Sequence, residues 1–492
     1  MPEQITQKYQ ELPLPLQGGA YKNISEEAVN TGFVGLVNML PTEKDTYVIR
    51  SGLELFCDLG TGSRVDGLGF YPGAGLNGKV YAVSNGTIFG VDLDGTDTSL
   101  ETGAMSAGTP VIFANQGNYF FMCNGGSTES VKYVEKATPE TVSAIGGDAP
   151  KGATHCVILD SRLWLIDGSR MYWSGVDDFV TFAGLADSTT AIVSPDDISF
   201  LGLEGDHLIL GGDDSIERFY TTGNVDFEVL RNSSLQVDDG IVAPYTMQKY
   251  RDEWYYLNED NQIVTLAGTI PKVLSTPYDD VIGNLPGLDG AVAYIIRMKG
   301  HVLYVINFPI ADRTIFFDIT YSKTFQTDNA WGEFASWNLP GAKDEAWQGF
   351  THLFVKKWQM HLVGDRSNGK IYKLKKDVYT DESVKFRTKL LTGHFNHGTP
   401  SLKQSEYLAL GIKRGVGTYT DSPDMLLRWK DDNTTWGRLV DLEMGLTGET
   451  QPTKVLKPMG VYHQRQYELT TLIDGNVEFF GMNESVRLYG GK

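Results

Sequence analysis

A hairpin unit, written seven times, is what most constrains how this chain can fold. The stretch DSRLWLIDGSRMYWSGVDD, residues 160–178, has a polar lead-in, a run of four apolar residues, a tight polar turn and a second aromatic run. Relatives of it begin at Asn77, Gln116, Glu204, Arg251, Lys299 and Val355. Each reads as two strands joined by a turn rich in Gly, Asn and Asp, which is a β-hairpin. The starts at 77, 116, 160, 204, 251, 299 and 355 are separated by 39, 44, 44, 47, 48 and 56 residues. That is close to the roughly 40 to 50 residues of one propeller blade.

The apolar runs say how the hairpins pack. A sheet with one wet face alternates apolar and polar residues. The runs LWLI (Leu163 to Ile166), YFFM (Tyr119 to Met122), WYYL (Trp254 to Leu257) and VLYVI (Val302 to Ile306) do not alternate. They offer apolar side chains to both faces, as expected when small sheets stack face to face in a ring. A string of separate sandwich domains is the alternative, but no Pro-, Ser- or Gly-rich linker interrupts Asn77 to Lys376. The expected fold is therefore all-β, a β-propeller of about seven blades. The 55 glycines and 24 tyrosines agree, since glycine serves turns and aromatics serve strands. Short segments such as SEEAVN from Ser25 read as helix, with Ser25 as the N-cap.

After about Lys385 the rhythm is lost. Longer strand candidates begin at Glu406, Asp424, Gln466 and Asn476 without the blade period. The division expected is an N-terminal arm over 1–35, the propeller over 36–385 and a C-terminal β-sandwich-like module over 386–492.

The net charge of −20 argues against a surface that coats nucleic acid, because phosphate affinity comes from lysine and arginine. It does not argue against an acidic wall past which DNA slides. Cys57, Cys123 and Cys156 are too few and too scattered for a disulfide framework or a four-ligand zinc site, and read as buried thiols. The N-terminus lacks a basic start and apolar core, and no run reaches the length of a membrane helix. A soluble protein is expected, made and kept in cytosol unless carried out inside a larger particle.

Constellations that carry chemistry are weak. WKDDNTTWGR, residues 429–438, resembles the aspartate-box hairpin of sialidases and many non-enzymatic β proteins. Asp431, Asn433, Thr435 and Trp436 stand at its positions, with Trp429 in place of the usual serine. The expected role is structural, the Asp431 carboxylate accepting turn amides and the Trp packing beneath. The pairs Asp177/Asp178, Asp196/Asp197, Asp213/Asp214 and Asp238/Asp239 read as turn residues before they read as glycosidase carboxylates. DLDGTDT, residues 92–98, has Gly103 where an EF-hand needs glutamate. His155 has no partner at metal spacing, and phosphate-loop, nucleophile-elbow and zincin motifs are missing. Trp331, Trp337 and Trp347 are assigned to packing before a sugar platform or an interface. No catalytic, cofactor-binding or metal-binding residue is expected, and no cofactor.

Three stretches carry a resemblance. ELPLPLQGGAYKN followed by GLVNMLPTEKDTYVIRSGLELF opens the chain. The run from Arg170 to Gly223 has an acidic Pro-Asp turn and a hairpin ending in the SIERF strand, Ser215 to Phe219. TTWGRLVDLEMGLTG and YELTTLIDGNVEFFGMNESV close it. In these the chain resembles the tail hub or nozzle proteins of short-tailed bacteriophages, the packaged DNA stabilisation or head-to-tail connector family. The mixed segment VLKPMGVYHQRQYELTT departs from the family's arginine-centred basic stretch.

The resemblance implies a non-enzymatic virion protein of the phage tail, forming a homo-oligomeric ring of six copies below the portal and adaptor rings. Such a ring retains packaged DNA and forms the channel for genome ejection, with DNA passing through the lumen without sequence-specific binding. Other tail proteins, such as tailspikes, fibres or a tail needle, are the implied partners, and no membrane insertion is implied. A propeller-fold carbohydrate-binding or glycoside-hydrolysing protein is the alternative, and a cellular propeller scaffold a third.

Overall fold

The computed structural model describes residues 9–14, 16–23, 32–43, 46–126, 131–183, 188–190, 197–224, 228–417, 420–450, 453–457 and 459–489. The expected SEEAVN helix and Asp196 lie outside the described residues.

Each of the seven hairpins is the middle pair of strands of a four-stranded antiparallel unit. The hairpin from Asn77, for example, supplies Lys79–Ser84 and Thr87–Val91, flanked by Val65–Tyr71 and Asp97–Glu101. In chain order the units span 65–101, 112–144, 155–190, 200–231, 248–273, 292–338 and 349–375, called here blades 1 to 7. Six of these are separate sheets, five of four strands and one of six. The remaining sector, blade 6, is the first four strands of a ten-stranded sheet. The expected seven is reached with that shared sheet, and six without it.

The double-sided apolar runs do what their pattern requires. Leu163 to Ile166 and Trp254 to Leu257 are buried along their whole length, as is the strand His301–Phe308. Their side chains fill clusters that lie between neighbouring blades. Tyr81, Val83, Phe120 and Met122 join blades 1 and 2. Trp164, Ile166, Leu208 and Leu210 join blades 3 and 4, and Ile209, Trp254 and Tyr256 join blades 4 and 5. Val65, Val80, Leu362 and Ile371 join blade 7 back to blade 1, so the circle is closed. Truncating one such side chain to Ala costs about 2–5 kcal/mol.

Closure is made by the N-terminal part of the chain. Blade 7 takes its outer strand from Gly52–Asp58, antiparallel to Lys370–Lys375, with Lys370 opposite Asp58 and Lys375 opposite Gly52.

Outside the ring the chain forms a two-sheet sandwich. One layer is the continuation of the ten-stranded sheet, through Phe33–Val37, Thr388–Thr392, Arg465–Thr471, Asp424–Asp431 and Val440–Glu443. The other has seven strands centred on the pair Lys403–Ile412 and Glu478–Leu488, with Gln10–Pro13, Met39–Glu43 and Thr46–Ile49 added from the N-terminal side. Leu36, Leu390, Leu427 and Leu469 meet Tyr47, Leu408, Leu410 and Phe479 in one core between them. The fold is thus all-β, with the sandwich-like module built from both ends of the chain. Two short α-helices, Asp279–Gly283 and Ile319–Phe325, occur among the described residues.

Candidate functional site

The inner strands of the seven sectors converge at the propeller axis. Leu68, Ile112, His155, Phe200, Met247, Ala293 and Thr351, one from each sector, line the same cavity of about 160 Å³. It is no open channel. The Tyr245 ring stacks on His155 at 5.5 Å and 15°, and Phe200 meets His155 edge-on at 5.3 Å. At about 30 Å³ per water the cavity holds a handful of waters, and a DNA strand has no room.

Burial displaces several ionisable groups at the axis: it lowers His155 and His352 and raises Asp66, Tyr245 and Tyr294. The His155 imidazole is pushed down to about 3, so it is neutral; its Nδ1 meets Thr154 Oγ1 at 3.2 Å and its Nε2 meets no partner among the described residues. Burial raises the Asp66 carboxyl, against the opposing pull of Arg64 Nε at 2.7 Å and the Gly108 amide at 3.0 Å. Among the described residues, Asp66 and His155 make no hydrogen bond to each other.

A fully buried ion-pair network lies at the junction of the propeller with the sandwich. Arg50, from the VIRSGLELF stretch, sits where the chain leaves Thr46–Ile49 of the sandwich and enters Gly52–Asp58 of blade 7. Its guanidinium is fully buried and all five N–H groups are matched. Nε donates to Asn38 Oδ1 at 2.8 Å, Nη1 to Asp381 Oδ1 at 2.9 Å and Ser51 O at 3.0 Å, and Nη2 to Ala335 O at 3.2 Å and to the second Asp381 oxygen. The Phe386 ring lies 3.6 Å beneath. Five fixed donors are what Arg offers and Lys does not.

A second buried arginine, Arg465, ties the sandwich layers together. Its Nε donates to Asp431 Oδ1 at 2.6 Å, Nη1 to Glu484 Oε1 at 3.1 Å and Nη2 to Met459 O at 2.6 Å. The other Glu484 oxygen accepts from Tyr462 Oη at 2.7 Å and lies 3.2 Å from His397 Nε2. Burial pushes the Glu484 carboxyl up, but the His397 contact and the Arg465 charge outweigh it and hold it below its ordinary value.

This corrects the reading of the aspartate box. The Asp431 carboxylate holds Arg465 across the sheet, and the turn amides of His463 and Gln464 are taken by Asp432 Oδ1, both at 2.8 Å. Trp436 lies under the cations of Arg428 and Lys430, at 4.8 and 5.4 Å. Arg50 and Arg465 were both missed by motif reading. The signal available was their position beside a sharp strand boundary, which proximity in sequence alone does not distinguish from a surface arginine.

The remaining candidates stay apart. Asp178 Oδ1 accepts the Val180 and Thr181 amides in a blade 3 turn, and the buried Asp239 accepts from Tyr256 and Asn258 between blades 4 and 5. Asp213 and Asp214 lie in the turn of blade 4, and Asp94 accepts the Thr96 amide within its own turn. Cys57, Cys123 and Cys156 are buried free thiols, and burial beside Asp97 pushes Cys57 up to about 12. Trp331 and Trp347 are core residues, Trp331 donating to Leu274 O at 3.0 Å, while Trp337 stacks on Arg387 at 5.5 Å. No helix among the described residues is long and apolar enough to cross a membrane.

These features define a narrow-axis β-propeller fastened to a two-sheet module at the buried Arg50 cluster, with the module's own layers tied by Arg465. The chain belongs to the phage stabilisation family described as Bacteriophage P22 Gp10, beta-propeller, which it matches over residues 12–379. It is therefore a phage structural protein and a component of the virion. No curated protein matches the sequence significantly. Among solved structures, the chain is similar to virginiamycin B lyase from Staphylococcus aureus, at 12% identity over 65% of this chain and 98% of that one, with a TM-score of 0.41. It is also similar to the WD40 beta propeller domain of Doa1, at 10% identity over 66% of this chain and 98% of that one, with a TM-score of 0.36.

Proposed function

We propose that this protein is the tail hub or nozzle of a short-tailed phage, a non-enzymatic ring of six copies attached below the portal and adaptor. It retains the packaged genome and forms the wall of the channel through which the genome leaves. Copies are made in the host cytoplasm and built into the tail, where spikes, fibres or a needle attach. It does not insert into a membrane.

The observation that carries this reading is an axis too narrow for DNA in a chain of the phage stabilisation family. With about 160 Å³ at its centre, a single propeller offers DNA no passage along its own axis. Any passage for DNA then runs between copies, bounded by outer surfaces. A net charge of −20 suits such a wall, because an acidic surface repels phosphate and leaves DNA free to slide.

Electron microscopy of the purified full chain, alone and with its adaptor, tests the proposal. The expected result is a closed ring with an open lumen between protomers. A chain that remains monomeric and never joins the adaptor ring would count against it.

A further inference from the structure

The cleft where blades 6 and 7 meet the sandwich has a volume of about 620 Å³ and collects cations in a chain that is otherwise strongly acidic. Arg297, Lys299 and Lys376 line it. Among the described residues none of the three has a carboxylate within ion-pair distance. Of the two carboxylates in the lining, Glu478 is already engaged by Lys413 Nζ at 2.6 Å and Asn476 Nδ2 at 2.6 Å, leaving Asp377.

Lys299 is held in place by its backbone. It and Gly300 form the two-residue turn between Met298 and His301, with φ of 50° and 90°, as a tight hairpin requires. Its ammonium lies 4.8 Å from the Tyr379 ring centroid and makes no hydrogen bond to another described residue. Burial is the main cause that lowers it to about 8, with Lys413 and Lys376 acting the same way and Glu478 and Asp377 opposing. His361, lowered by burial and by the charge of Arg297, adds a neutral imidazole to the wall. A half-buried ammonium in a cleft that an arginine and a second lysine also line, with Asp377 the one carboxylate there not engaged by a lysine, leaves room for an anion.

We infer that this cleft binds a multiply charged oxyanion, a phosphate or pyrophosphate group, through Arg297, Lys299 and Lys376. The volume is in the range of small-ligand sites, and Arg and Lys donors lining one cleft suit phosphate oxygens. The source is either a free oxyanion or the terminal phosphate of a nucleic acid strand. The inference does not depend on the ring proposed above.

Titration calorimetry of the full chain with sodium pyrophosphate, at constant ionic strength and pH 7, tests it. The expected result is saturable binding of one equivalent, weakened about ten- to hundred-fold by Lys299→Met, as the loss of a charge-assisted hydrogen bond implies. Arg297→Gln changes an exposed residue, so it separates loss of binding from loss of folding, and it is expected to weaken binding similarly. A short single-stranded oligonucleotide with and without a 5′-phosphate distinguishes the sources: binding that requires the phosphate assigns a strand end, and binding of pyrophosphate alone assigns a free oxyanion. No saturable heat with pyrophosphate, or an affinity unchanged in both variants, overturns the inference. Equal binding of both oligonucleotides with no effect of Lys299→Met overturns it as well.

Discussion

Arg50 and Asp381 face each other in a fully buried, two-pronged ion pair, with Nη1 and Oδ1 2.9 Å apart, at the point where the chain crosses from sandwich to propeller. Asp381 lies on the short strand Thr380–Asp381, which runs parallel to the closing strand at Leu53. One pair therefore fixes the entry to the closing strand and the exit from blade 7 together. Removing one partner of a buried pair leaves the other uncompensated, at about 3–5 kcal/mol. Arg50→Met is expected to destabilise the protein by that amount in denaturant unfolding. Because a well-packed apolar replacement of both partners is often near neutral, the double variant Arg50→Met/Asp381→Leu should recover part of the loss. A midpoint unchanged in the single variant would refute this role.

Gly52 begins the closing strand under tight constraint. A β-carbon there would lie 2.3 Å from Thr380 O and 2.8 Å from Val378 O, both backbone atoms, while the Gly52 amide donates to Val378 O at 2.7 Å. Gly52→Ala must shift backbone, and overpacking of this kind costs about 1–3 kcal/mol. The damage should be local to closure. Hydrogen exchange is expected to quicken in Lys370–Lys375, which pairs with the closing strand, and to stay unchanged in blade 3, on the far side of the ring.

The hairpins were legible in the sequence because their burial is written residue by residue. The run WYYL at Trp254 to Leu257 has no polar member to place in water, so it had to be covered twice, and in the fold it is. What closes the ring was not legible. Gly52–Asp58 reads GLELFCD, half exposed and unremarkable in pattern, and its partner lies more than three hundred residues further on, at Lys370 to Lys375. The same holds for the sandwich, where Gln10–Pro13 pairs with Glu478–Leu488 by backbone bonds that carry no local signature. Asp431 shows a subtler limit. Its box spacing was visible, but the partner of its carboxylate is Arg465, 34 positions away, so the local turn expected from the motif gave way to a tertiary ion pair.

His155 makes the axis sensitive to acid. Its folded value of about 3 lies below the ordinary 6.5, so the folded state holds fewer protons than the unfolded one between those limits. The stability it contributes is complete above pH 6.5 and is lost as pH falls towards 3, at about 1.4 kcal/mol for each unit. His155→Phe removes the titrating group while keeping a ring against Tyr245. Its unfolding free energy is expected to fall less steeply with acid over that window, measured by denaturant unfolding at successive pH values. Identical slopes for the two proteins would show that the imidazole is not held neutral.

Asp431 and Thr435 separate the two readings of the aspartate box. If the box works as a turn, both positions matter to the hairpin alone. If Asp431 instead holds the buried Arg465, its loss reaches Glu484 and Tyr462 on the opposite layer and His397 in the turn beside them. Asp431→Ala strips Arg465 of a two-oxygen partner but leaves it Glu484, so a cost of about 1–3 kcal/mol is expected, within the range for an unmatched buried donor. Thr435→Ala changes an exposed side chain and should stay within about 0.5 kcal/mol. Urea unfolding of the two variants reads the difference directly, and the His397 ring resonance should move in Asp431→Ala and not in Thr435→Ala. Equal costs with an unmoved His397 would return Asp431 to the turn.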